Sequence, residues 1–164
     1  ESPGRDWMCG RFTLTVSPDE LRQAFPNFEI PVDLPPSYNI APTQPIPVIP
    51  NDHNKELTFY RWGLVPSWAK DEKFGGYTLT NARAETVAEK PSFRSSFRYK
   101  RCLVLADGFY EWKKNPTGGK TPYFVSLNSQ QPFGFAGLWD KWISPHGDPL
   151  YSACIITTKP NRIL

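Results

Sequence analysis

The sequence is poor in the features that mark secreted, metal-bound or membrane proteins. Cysteine occurs three times, at Cys9, Cys102 and Cys154. An odd number at wide spacing is no disulfide framework, and a reducing intracellular setting fits it best. No CxxC pair or Cys/His cluster has metal-ligand spacing. Histidine is scarcer still, and both His53 and His146 fall in polar, turn-like stretches. No apolar run approaches the roughly 18 residues of a membrane span. The short polar stretch 1–7 lacks the apolar stretch of a secretory signal. Repeats and low-complexity tracts are absent. Excess charge is small: the net value is +3 with a pI near 8.8, which permits contact with a polyanion without demanding it.

What is present points to one compact domain. The 164 residues include 39% hydrophobic and 15% aromatic residues, enough for a real core. Eighteen prolines and eleven glycines imply many turns rather than a helical bundle. Ser17-Pro18-Asp19-Glu20 is a capping box with proline at the first helical position. A short helix follows through Leu21, Ala24 and Phe25. Residues 30–50 hold seven prolines and are expected to be extended or looped. Strand-like runs cover 55–62, 77–83, 101–106, 108–114, 121–127, 133–139 and 151–158. Asn115 to Gly119 is a turn between two of them. Short helices are expected before and after Pro91. The sum is a mixed, mostly antiparallel sheet, curled or barrel-like, with a few small helices.

Five segments carry possible chemistry. In Met8-Cys9-Gly10-Arg11, removal of the methionine would expose a 1,2-aminothiol. Its amine is partly neutral at pH 7 and its thiol ionises with help. The pair can form an imine with an aldehyde and close a thiazolidine ring, or act as an N-terminal nucleophile on an amide. Taken alone, Cys9 is more often an ordinary cysteine near a chain end. In Asn81-Ala82-Arg83-Ala84-Glu85, an extended chain puts Asn81, Arg83 and Glu85 on one face. That trio suits a phosphate or carbonyl, and equally a solvated strand edge. In Gly108 to Lys114 (GFYEWKK), Glu111 lies among aromatics, where partial burial raises its pKa and makes it a proton shuttle. The aromatics and lysines also suit single-stranded nucleic acid, or simply a half-buried strand. Trp62 to Trp68 is a tryptophan-bearing Gly/Pro loop, either a packed lid or a stacking platform. Arg94, Arg98, Lys100 and Arg101 form a basic run that suits a phosphate backbone or a solvated face. Cys102 and Cys154 lie in apolar strand contexts and read as core residues.

Six ordered segments together resemble the SOS-response-associated peptidase family, proteins that cross-link to abasic sites in single-stranded DNA. They are MCGRF (8–12), YNIAPTQ (38–44), RWGLVPSWAK (61–70), NARAET (81–86), RCLVLADGFYEWKK (101–114) and CIITTKPN (154–161). The resemblance covers nearly everything from Met8 onward. It implies a single α+β domain with a mostly antiparallel pseudo-barrel sheet and a few short helices. It implies a thiazolidine between Cys9 and the ring-opened abasic sugar, with Asn81 orienting the substrate and Glu111 as acid–base. Arg11 and Arg83 match phosphate contacts, Asn39 and Pro42 match the pocket-lining loop, and Trp68 and Trp112 match aromatic positions near DNA. The implied partner is abasic single-stranded DNA, met by a monomer without metal, other cofactor or membrane. The implied setting is intracellular, nucleoid-associated if bacterial. The alternatives are a cysteine-type (auto)peptidase and a non-catalytic single-strand-binding module.

Two departures qualify the resemblance. Residues 1–7 read as a leader or expression remnant. While they and Met8 remain, the Cys9 nitrogen is an amide and forms no imine. The family's H-x-R-M-P histidine follows the TTKPN strand, and the sequence stops at Leu164. The expected arrangement is thus a family domain over 8–164 lacking its C-terminal part, impaired until the bond before Cys9 is cleaved.

Overall fold

The computed structural model describes residues 9–74 and 78–159. Met8 and the segment before it, Tyr77, and Pro160 to Leu164 lie outside the described residues. So do the readings placed on them.

Five strands close into a barrel. They are β3 (Pro45–Pro50), β4 (Thr58–Trp62), β6 (Arg101–Ala106), β9 (Phe133–Ile143) and β10 (Pro149–Thr157). The sheet runs β4-β3-β6-β9-β10, and a β4–β10 pairing closes it. The neighbours within the row are antiparallel. Closure is parallel, with Ser152 opposite Arg61 and Ala153 opposite Trp62. The second half of the same β10 edge takes β5 (Asn81–Arg83), also parallel, with Ile155 opposite Asn81. One edge of β10 therefore both shuts the barrel and places Asn81 beyond its rim.

The interior is filled by alternating side chains. Ile46, Val48, Trp62, Val104 and Ala153 are all fully buried. Strand β3 has neighbours on both sides and three prolines, Pro45, Pro47 and Pro50, of which Pro45 and Pro47 turn to the same side. Being two residues apart, these two withhold donors from the same neighbour and spare the opposite ladder. Gly137 on β9 is required by close approach. A Cβ there would come within 2.9 Å of both Cys102 Sγ and the Cys154 carbonyl oxygen.

A smaller antiparallel sheet stands against the barrel in the order β2-β1-β7-β8. Its strands are β1 (Phe12–Leu14), β2 (Ser37–Ile40), β7 (Gly108–Lys114) and β8 (Lys120–Val125). Phe12 carries its core side into the barrel, edge-on to Trp62 at 5.1 Å and Phe135 at 6.1 Å. Strands β6 and β7 are consecutive yet belong to different sheets, and Asp107 forms the corner. Helix α1 (Pro18–Ala24) starts at the expected capping box, with Ser17 and Glu20 bonded reciprocally. Helix α2 (Arg94–Tyr99) lies beside β9 and β6 on the barrel's outer wall. Among the described residues, no helix is long and apolar enough to cross a membrane.

The sheet-rich α+β expectation stands, with three local corrections. The run 55–62 becomes a strand only from Thr58, because Lys55 adopts a positive φ of 52° and interrupts the extension. The helix expected before Pro91 is a series of turns, closed by bonds such as Val87 N–H to Arg83 C=O at 2.9 Å. The strand through NARAE ends at Arg83, so Glu85 does not share a strand face with Asn81. Instead the Glu85 carboxylate accepts from the Thr158 hydroxyl at 2.8 Å and the Lys159 N–H at 3.1 Å. Its own backbone N–H, then the Thr158 hydroxyl and Lys159 N–H, hold that carboxyl below its ordinary value.

Candidate functional site

Cys9 enters the structure just before β1 and is almost fully buried. Its carbonyl oxygen accepts from Asn81 Nδ2 at 3.3 Å. The same amide nitrogen reaches Thr80 Oγ1 at 3.0 Å. Asn81 Oδ1 is buried and meets no donor among the described residues. A buried acceptor without a donor is costly, and this one sits on the side chain that holds Cys9.

Glu111, half-buried on β7, completes the cluster. Burial pushes its carboxyl above the ordinary value, only partly offset by the Trp112 N–H. The Cys9 thiol is pushed up to about 12, first by burial and then by the nearby Glu111 charge, against an opposing hydrogen bond from the Arg11 backbone. The two groups therefore sense each other across the small sheet. Cys9 precedes β1, Asn81 opens β5 and Glu111 lies on β7, and the fold brings the latter two to Cys9.

Register explains how. Phe12 lies opposite Phe109 and Thr13 opposite Gly108, so the chain leading back to Cys9 runs beside the chain leading on to Glu111. Asp107 pins that register. Its carboxylate accepts from Thr13 Oγ1 at 2.5 Å, from Thr15 N–H and Oγ1 at 2.6 Å, and from Val16 N–H at 3.0 Å. Burial alone would raise the Asp107 carboxyl, but these hydrogen bonds outweigh it and hold the carboxyl below its ordinary value. Sequence reading assigned Asp107 no role. An Asp-Gly pair between two strand runs signals only a corner.

The other expected residues divide into two groups. Arg11, two residues from Cys9, donates from Nη1 to Asn39 Oδ1 at 3.0 Å. Asn39 lies on β2, and Pro42 follows in the tight turn into β3, closed by Gln44 N–H to Ala41 C=O at 3.2 Å. Trp112 stands beside Glu111 in sequence but on the opposite face of β7, 54% exposed. Arg83 is exposed at the end of β5.

Trp68 belongs to a different device. It is 57% exposed and packs edge-on against Phe74 at 5.2 Å. The turn around it is tied to the barrel wall at three points. Val65 N–H donates to Ser152 Oγ at 2.8 Å, and Ser67 N–H to Asp140 Oδ2 at 2.8 Å. Trp142 Nε1 donates to the Ala69 carbonyl at 2.8 Å. Asp140 is buried and also receives Lys100 Nζ at 3.2 Å. Asp140 and Trp142 carried no recognisable motif and emerge only from the packing.

Cys102 and Cys154 are buried core thiols. Burial pushes the Cys102 thiol up to about 12 and the Cys154 thiol upward as well. Among the described residues, no group of three or more His, Cys, Asp or Glu side chains is placed to hold a metal ion.

A closed small β-barrel beside a four-stranded antiparallel sheet, with a buried cysteine held by an asparagine, defines a class of sheet-rich α+β proteins. Within it, the chain belongs to the SOS response associated peptidase (SRAP) family, whose model matches residues 8–164. The chain is 51% identical over 163 residues to "Abasic site processing protein YoqW" of Bacillus subtilis, covering 96% of this chain and 71% of that protein. It is 32% identical to "Abasic site processing protein HMCES" of Xenopus tropicalis, covering 96% of this chain and 59% of that one. A crystal structure of a Bacteroides thetaiotaomicron protein superposes with a TM-score of 0.80 at 28% identity, covering 92% of this chain and 68% of that one.

Proposed function

We propose that this protein recognises abasic sites in single-stranded DNA and captures them covalently through Cys9. The observation that carries this reading is the Asn81–Cys9–Glu111 cluster. The family and the names of its relatives support the substrate. Abasic DNA carries a ring-opened aldehyde, and a 1,2-aminothiol is the group that traps an aldehyde as a stable ring. The condition is a free amine on Cys9, so the peptide bond before it must first be cleaved.

The residues divide the work. The Cys9 amine attacks C1′ of the open sugar, and one amine proton passes through Glu111 to the carbonyl oxygen, which becomes a hydroxyl. The second amine proton follows by the same route, the hydroxyl leaves as water, and a neutral imine forms. The thiol then adds to the imine carbon, its proton going to the nitrogen, and the thiazolidine closes. Glu111 ends as it began. A carboxyl lifted by burial keeps its proton at higher pH than an ordinary glutamate, which suits this shuttle. Asn81 holds the Cys9 carbonyl, and its unpaired Oδ1 offers an acceptor beside the new amine. Arg11 and Arg83 contact phosphates, Asn39 and Pro42 line the approach, and Trp68 and Trp112 stack against bases. The protein acts as a monomer inside the cell.

The thiol level weighs against a general cysteine peptidase. A thiol held up to about 12 is almost wholly protonated at neutral pH, and attack on an amide needs thiolate. Imine formation by the amine avoids that demand. The test is a denaturing gel with abasic single-stranded DNA, after mass spectrometry has verified Cys9 as the N-terminus. A shifted band is expected for wild type and complete loss for Cys9→Ala. A verified mature protein that gives no shift overturns the proposal.

A further inference from the structure

Beside the small sheet, α1 and the segment 126–132 enclose a groove of about 870 Å³. Its walls include Thr15, Gln23, Phe124, Ser126, Gln130 and Gln131. No lysine or arginine lines it. Its two carboxylates are already engaged. Glu20 accepts from the Ser17 N–H in the capping box, and Asp107 accepts from Thr13, Thr15 and Val16. What remains for a ligand is uncharged: the amides of Gln23, Gln130 and Gln131 and the hydroxyls of Ser126 and Ser129, the Thr15 hydroxyl being given to Asp107. Among the described residues, no side-chain amide of Gln23, Gln130 or Gln131 makes a hydrogen bond. Amides offer donors and acceptors together, which matches neither a bare phosphate nor a cation.

The groove has one aromatic wall, and that wall is fixed in place. Phe124 is 54% exposed and lies 5.3 Å from the Tyr110 ring. Its ring rests on Gly108, where a Cβ would collide with Cζ. The glycine is therefore the seat of the ring. Phe124 pairs with Tyr110, and Tyr123 with Glu111, so Phe124 lies one residue along the ladder from the acid–base candidate but on the opposite face of the small sheet, and a strand reaching both must pass around its β8 edge. On the Phe124 face of the same two strands, Trp112 lies opposite Pro122 and Lys114 opposite Lys120. Those lysines supply positive charge for a phosphate backbone alongside an uncharged pocket.

We infer that this groove is a nucleobase subsite: it holds one unpaired base of the strand that carries the abasic site. The base stacks on Phe124, and its edge is read by the glutamine amides, while the backbone passes Lys114 and Lys120. Stacking plus edge hydrogen bonds is how unpaired bases are held by proteins. This rests on the reading of Cys9 as an abasic-site nucleophile, and it adds a grip on undamaged sequence beside the lesion.

The test uses the mature protein and fluorescent abasic single strands in which the bases flanking the lesion are replaced, on one side at a time, by base-free tetrahydrofuran units that keep every phosphate. Phe124→Leu keeps a side chain over Gly108, and Gln130→Ala/Gln131→Ala leaves the core untouched. Removing the bases on one side is expected to weaken wild-type binding about ten-fold, the size of one base stack, and the other side to matter little. Phe124→Leu should cause the same loss on the fully based strand and none on the strand lacking those bases. A loss of equal size on both strands, or no loss on either, overturns the subsite. If the wild type forms no adduct, the covalent reading itself fails and the subsite with it. If the adduct forms normally and Phe124→Leu is silent, the subsite alone falls.

Discussion

The barrel and the small sheet are built to opposite rules. The barrel leaves no free edge around its ring, and its interior residues Ile46, Val48, Trp62 and Val104 are wholly buried. The small sheet ends on β8, whose outer edge pairs with nothing among the described strands, and Tyr123 and Phe124 are half exposed there. The rigid half holds Asn81 and the turn bearing Trp68. The open half carries Glu111, Trp112 and the groove. Cys9 sits at the seam, tied by its carbonyl to one half and sensing Glu111 in the other. In the proposed capture, that seam gives Cys9 a fixed position from the closed sheet and a proton partner from the open one.

The largest expected effect comes from the open half. Glu111→Gln should slow adduct formation by about 10²-fold or more, as loss of a general acid–base group does, while the melting temperature stays near wild type. Because burial raises the Glu111 carboxyl, its proton-donating step should fade as pH rises through that elevated value. The pH profile of the single-turnover rate should lose this limb in Glu111→Gln.

Stability should show the reverse bias. Leu105→Ala empties a fully buried position on β6 and should cost about 2–5 kcal/mol by denaturant titration. Tyr123→Ala on exposed β8 should cost under about 1 kcal/mol. Equal costs would erase the distinction between the halves.

The Trp68 turn sharpens the comparison further. Trp68→Ala should weaken DNA binding about ten-fold. Asp140→Ala releases Ser67 and should weaken it less. If Asp140 acts through Trp68, the double variant binds no worse than Trp68→Ala alone, a non-additive cycle. Strict additivity would detach Asp140 from the site.

The smallest effect belongs to the corner joining the halves. Asp107 has a folded pKa below its unfolded value. Its contribution is therefore present above the unfolded value and lost as pH falls through the folded one. Acid unfolding should begin at higher pH in Asp107→Asn, which lacks the charged acceptor from the start. Circular dichroism across an acid titration reads the shift.

Much of this molecule is legible locally. The capping box before Leu21 starts α1 where it was expected, because a cap is satisfied within four residues. Strands β6 and β7 match their apolar runs to the residue, because alternation is a property of neighbours. The proline-rich stretch hid two strands, β2 and β3, because a missing N–H argues against pairing until the neighbours are known. Glu85 was placed on a face with Asn81 that does not exist, since nothing nearby announces that β5 ends at Arg83.

The sequence by itself determined the family, through six motifs in order, and with it the candidate residues on which the proposed capture rests. Tertiary structure alone decided that Asn81 meets Cys9 across 72 positions, that one edge of β10 both closes the barrel and seats β5, and that Asp107 and Asp140 are clamps. The reason is physical. Strand period, turns and caps are set by adjacent residues, whereas register between distant strands depends on every side chain packed between them.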